Sequence, residues 1–136
     1  MKYKFVSHTA DIKFFSYGKT IEEVFENSAY ALVHSISDKK INGNHKIKFH
    51  VNGIDFENLM YNFLEEFLFL FDSKNLILSR IYSIKIDKKN FTLHVGAFFD
   101  DGKNHRNLFS IKAVTYSEMK IQKKNGKWSA RVVLDI

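Results

Sequence analysis

The stretch Ser7-His8-Thr9-Ala10-Asp11 places two hydroxyls, an imidazole and a carboxylate within five residues. At the other extremity Asp135 follows the apolar run Val132-Val133-Leu134 and precedes Ile136 with its α-carboxylate. Asp135 and that carboxylate are two anionic groups on adjacent residues, and Asp11 beside them would make a third. Like charges that close repel unless a cation compensates. A hard divalent cation is the simplest compensator. Calcium accepts carboxylates and waters in flexible geometry, and magnesium or manganese also takes oxygen donors. A lysine such as Lys13 or Lys112 is the alternative, and it would leave a purely structural cluster. Residue types alone do not bring Asp11 to Asp135. They also leave the segment from Ser7 to Asp11 open between a site and a turn in which Thr9 and Asp11 hydrogen-bond the backbone.

Acid–base chemistry has two candidate pairs: His8 with Asp11, and His105 with Asp100 or Asp101. No nucleophile elbow, HExxH or phosphate-loop pattern accompanies them. With no cysteine in the chain, thiolate nucleophiles, disulfides and cysteine-type zinc sites are excluded. The expectation is a protein that is not itself an enzyme. His34, His45, His50 and His94 fit solvated or strand-surface positions.

The elements that must position these groups read as follows. Tyr3–Ser7 and Ile12–Tyr17 are short strands, the second closed by Gly18. Thr20-Ile21-Glu22-Glu23 is a capping-box pattern that opens a helix, and Ile21, Val24, Phe25, Ser28, Leu32 and Ile36 form its buried face. Lys46–Val51 alternates as a half-buried strand. Asn52-Gly53 is a turn, and Asp55 is the N-cap of a second helix over Phe56–Phe71. Apolar residues wrap most of that helix, which predicts deeper burial than for the first. From Leu76 onward the pattern is strand-like: Ile77–Asp87 with a phase change that reads as a bulge, Phe91–Phe99, Ser110–Gln122, and an apolar Lys127–Ile136. Lys123-Lys124-Asn125-Gly126 joins the last two as a hairpin. This order predicts an α+β fold: one two-layer domain over residues 1–136, with two helices on a mixed or mainly antiparallel sheet.

Length and composition agree. A chain of 136 residues with 45% hydrophobic side chains can bury a core without staples. No apolar run reaches the length of a membrane span, and the first residues lack a signal-peptide apolar region, so a cytoplasmic protein without a membrane partner is expected. Charge is uneven. Residues 1–72 carry 8 basic and 10 acidic side chains, whereas residues 73–136 carry 13 and 5. A basic half can attract RNA or an acidic partner, or simply solvate a sheet face.

Several of these segments together resemble the archease family. They are Ser7-His8-Thr9-Ala10-Asp11-Ile12, Tyr17-Gly18, Glu22-Glu23-Val24-Phe25-Glu26-Asn27, the FLFLFD stretch from Phe67 to Asp72, Ile111-Lys112-Ala113-Val114-Thr115-Tyr116, and Trp128 through Val132-Val133-Leu134-Asp135-Ile136. The similarity spans nearly the whole chain. Ser7 departs from it, since many members carry aspartate there. The resemblance implies an accessory protein in tRNA processing that activates a GTP-dependent tRNA-splicing RNA ligase, promoting guanylylation of the ligase histidine and multiple turnover. It also implies a calcium site at Asp11, Asp135 and Ile136, the last through its carbonyl or terminal carboxylate. His8, His105 and Lys112 fall in or near the shared motifs and become candidate ligase or RNA contacts. The expected partner is the ligase, with tRNA met through it. The alternative is a basic chaperone that binds tRNA directly.

Overall fold

The computed structural model describes residues 1–6 and 10–136. Seven strands and two α-helices alternate as β1 (Tyr3–Val6), β2 (Asp11–Gly18), α1 (Ile21–Ile36), β3 (His45–Asn52), α2 (Phe56–Lys74), β4 (Leu76–Asp87), β5 (Thr92–Asp101), β6 (Ala113–Lys124) and β7 (Lys127–Asp135). The α+β expectation holds. All strand pairings are antiparallel, and the strands divide into two sheets where one was expected: β1-β2-β7-β6 and β3-β5-β4. Both helices pack against strands of both sheets, and one apolar cluster joins all of these elements.

Local signals explain the elements. Thr20 caps α1 by accepting from the Glu23 amide at 3.1 Å, while the Glu23 carboxylate reaches back to the Lys19 amide, also at 3.1 Å. Asp55 caps α2 through the Asn58 amide at 2.7 Å. The β4 phase change is real: register against β5 shifts between Leu78 and Arg80 and again between Ile81 and Ser83. Asn125 (φ 53°) and Gly126 (φ 74°) both adopt the left-handed conformation of a tight two-residue hairpin.

Burial of the helices runs opposite to expectation. Ten of the sixteen α1 residues are buried against seven of the nineteen in α2, and Phe69 of α2 is 52% exposed. Small α1 residues are the reason. Ser28, Ala29 and Ala31 let the backbone approach β2, where the Ser28 and Ser16 hydroxyls meet at 2.6 Å. The apolar wrap of α2 instead reflects its contacts with both sheets. Its carboxylates have a separate task at the open edge of β6: Glu65 accepts from the Val114 amide (3.1 Å) and Glu57 from the Ile121 amide (3.0 Å). Those acceptors satisfy amides of an edge strand that would otherwise template aggregation.

Candidate functional site

Register builds this site. Asp11 opens β2, Asp135 ends β7, and the antiparallel pairing sets them directly opposite each other. On the other side of β7, Asp135 faces Ala113, the first residue of β6. Directly opposed residues project to the same face with Cβ atoms about 5 Å apart. Phe14, Val132 and Leu134 point into the core, so Asp11 and Asp135 share the opposite face. The Lys112 amide donates to the Asp135 carbonyl at 2.8 Å, which pins the end of β7. Val132, Val133 and Leu134 are buried as expected; Ile136 is not, at 45% exposure. It lies past the last ladder pair, where neither sheet nor helix covers it.

Neither lysine considered as a neutraliser pairs with Asp135. The Lys13 ammonium lies 2.7 Å from the Glu118 carboxylate, and the exposed Lys112 side chain makes no ion pair among the described residues. Glu118 reaches Lys13 because β6 has four residues between its pairings at Thr115 and Lys120 where β7 has only Val132, an excess of three. The Glu118 backbone there has φ 55°, and its carbonyl accepts from Arg131 Nε at 2.7 Å. Sequence reasoning missed this bridge, since nothing in the Ser117-Glu118-Met119 pattern marks an excursion.

Oxygen chemistry at the opposed pair suits a hard cation. Among the described residues no three His, Asp or Glu side chains converge on one point. A cleft of about 440 Å³ opens beside Asp11, with Val6, His34 and Asp38 on its walls.

His8, with its neighbours Ser7 and Thr9, lies outside the described residues. His105 does form one of its proposed pairs. It follows a short 3-10 turn after β5, and its Nε2 lies 2.8 Å from Asp100 Oδ2. That bond, first, and a second from Asn104 hold the Asp100 carboxyl below its ordinary range. Asp101 instead caps the turn through the Lys103 amide. A carboxyl whose pKa is depressed by folding stabilises the fold above its unfolded pKa, and that contribution is lost as pH falls through the folded value. Asp100→Asn is therefore expected to lower Tm at pH 7 and to leave it nearly unchanged near pH 2. Thermal melts at both pH values check this; equal losses would place the effect in packing.

Fold and site together define a small α+β protein with a carboxylate pair on a pinned sheet end. Residues 3–136 match the model of the Archease protein family (MTH1598/TM1083). Protein archease of Sulfurisphaera tokodaii is 37% identical over 139 residues, covering 99% of each chain. Protein archease of Pyrococcus furiosus is 39% identical over 135 residues, covering 95% of this chain and 94% of that one. The solution structure of Methanobacterium thermoautotrophicum protein 1598 superposes with TM-score 0.82 at 32% identity over 99% of both chains. A Thermotoga maritima archease, described as a possible chaperone, shares the fold with TM-score 0.67 at 21% identity. The chain belongs to the archease family. No helix among the described residues is long and apolar enough to cross a membrane.

Proposed function

We propose that this protein is a non-catalytic activator of a GTP-dependent tRNA-splicing ligase. In this reading it carries calcium between Asp11, Asp135 and a main-chain oxygen of Ile136. The observation that supports this most is the β2–β7 register, which opposes the two aspartates at the end of the two central strands of their sheet. Bound there, a divalent ion supplies positive charge that phosphate or carboxylate oxygens of the ligase complex can meet. Asp11 and Asp135 hold and orient it. The Lys112 amide fixes the Asp135 backbone, and the Glu118 carboxylate engages the Lys13 ammonium. Lys112, next to the Asp135 backbone, and His105, in the turn after β5, serve as ligase or RNA contacts in this reading. Residence in the cytoplasm, with the tRNA-splicing machinery, belongs to the same reading.

Stripping the protein with EGTA tests this. Metal-free protein is expected to leave the ligase near one round of joining, and stoichiometric calcium is expected to restore repeated turnover. Full activation by metal-free protein would retire the ion. Activation absent in both states would retire the ligase. The rival reading, a chaperone acting on tRNA without a ligase, predicts improved tRNA folding by this protein alone.

A further inference from the structure

We propose that the outer face of the β3-β5-β4 sheet binds a segment of single-stranded RNA. Antiparallel register aligns three rows of side chains across this face. Lys46 opposes Phe98, which opposes Arg80; Lys48 opposes Gly96, which opposes Ser83; His50 opposes His94, which opposes Lys85. Rows lie two residues apart along the strands, about 7 Å. Each row therefore sets at least one cation at a margin of the sheet and a flat group or open floor at its centre.

The centre is built from rings. Tyr82 sits in the β4 bulge and leans across Gly96, where a Cβ would come within 2.4 Å of its ring. Residue 96 is thus the floor beneath an aromatic. Tyr82 and Phe98 have centroids 5.1 Å apart, and His50 and His94 are 5.9 Å apart. The Arg80 guanidinium lies 4.1 Å over Phe98, and the Lys46 ammonium 5.0 Å from the Tyr82 centroid. A hollow of about 390 Å³ opens between Tyr82, Lys48, His50 and His94. Both helices cover the opposite face of this sheet. On the outer face Lys46, Lys48, His50, Arg80, Tyr82, Lys85 and His94 are all exposed.

Charge selects the occupant. Lys46, Lys48, Arg80 and Lys85 are four permanent cations, and acids stand only at the ends of the face. Asp87 is held in its own turn by Lys89 and Asn90, and Asp100 by Asn104 and His105. The complement is a polyanion that also offers flat faces. Unpaired bases can stack on Tyr82, the imidazoles and the Arg80 guanidinium that covers Phe98, while phosphates meet the marginal cations, the arrangement by which sheets read single strands. A duplex keeps its bases stacked inside, and an acidic peptide has no faces for the rings. Only the choice of RNA over DNA rests on the ligase reading above.

Fluorescence anisotropy of the full chain with a fluorescein-labelled single-stranded RNA dodecamer tests this. With four phosphate contacts, log affinity is expected to fall with log salt at a slope of about −3. Combining Lys46→Ala, Lys48→Ala and Lys85→Ala should flatten the slope to about −1 and weaken low-salt binding at least about tenfold. Tyr82→Ala should weaken it about tenfold with the slope unchanged, since stacking releases no counterion. These positions are exposed, and circular dichroism verifies folding. Asp135→Ala should bind RNA as wild type does, which separates this surface from the metal-site reading. Wild-type binding by folded triple and Tyr82 variants would overturn the proposal, as would tighter binding of single-stranded DNA or of a polyglutamate peptide.

Discussion

Asp11→Ala and Asp135→Ala are each expected to abolish calcium binding at micromolar metal and to reduce ligase joining to about one round per ligase. The argument is electrostatic and geometric. Two carboxylates face each other across β2 and β7, so in the proposed site each variant removes one of the anionic groups that would hold the ion. Loss of an outer-shell partner alone costs about 10–100-fold in metal affinity, so loss of a direct ligand costs at least about 100-fold. The fold should survive, because both residues end strands and Asp135 is exposed. Asp135→Asn refines the test by keeping shape while removing charge. Without metal its Tm should equal or exceed that of wild type, since like charges opposite one another destabilise by about 0.2–1 kcal/mol. In calcium at about 100 times Kd the order should reverse, because binding adds about 2.7 kcal/mol to wild type only. Calorimetric titration, thermal melts and multiple-turnover joining assays measure these outcomes. Folded variants that support wild-type turnover would defeat the site.

Phe63→Ala is expected to produce the largest loss of stability, about 3–5 kcal/mol. Phe63 is fully buried at the centre of α2, with its ring 5.7 Å from Phe25 of α1 and 4.9 Å, edge-on, from Phe67. It therefore joins the two helices to each other and, through Phe67 and Phe99, to the β3-β5-β4 sheet. Truncation removes apolar burial and leaves a cavity that two helices wedged between two sheets cannot collapse. For a chain of this length the loss corresponds to a fall in Tm of about 10–15 °C. Phe69→Ala on the same helix should shift Tm by no more than about 2 °C, because Phe69 is half exposed. Urea and thermal denaturation of the pair check the contrast. Equal losses would mean that α2 is not held through its buried ring.

These two predictions draw on different kinds of legibility. The core around Phe63 was readable because helical period, caps and alternation are written within a few residues. Thr20 and Asp55 cap the helices that they announce. The β4 phase change is a bulge, and Asn125-Gly126 turns the last hairpin. Depth of burial was less readable, because α1 gains its close approach from small residues that carry little hydrophobic signal. Division of the strands into two sheets was likewise hidden, since alternation tells which face is apolar and not which strand lies alongside.

The candidate site divides in the same way. Asp11, Asp135, His105 and Asp100 are legible as residue types capable of chemistry, and the resemblance to archeases implies that the first two share a site. Glu57 and Glu65 as acceptors for the β6 edge, and Glu118 as the partner of Lys13, carried no signal at all.

By itself the amino-acid sequence determined the α+β class, the helix starts, the tight turns and the family. Each of these follows from near-neighbour sterics and periodicity, or from motifs strung along the chain. Only the tertiary structure decided that Asp11 opposes Asp135, that Lys13 turns to Glu118, and that Lys46, Phe98 and Arg80 share one row. Those facts depend on register between distant strands, and register is settled by the packing of the whole core.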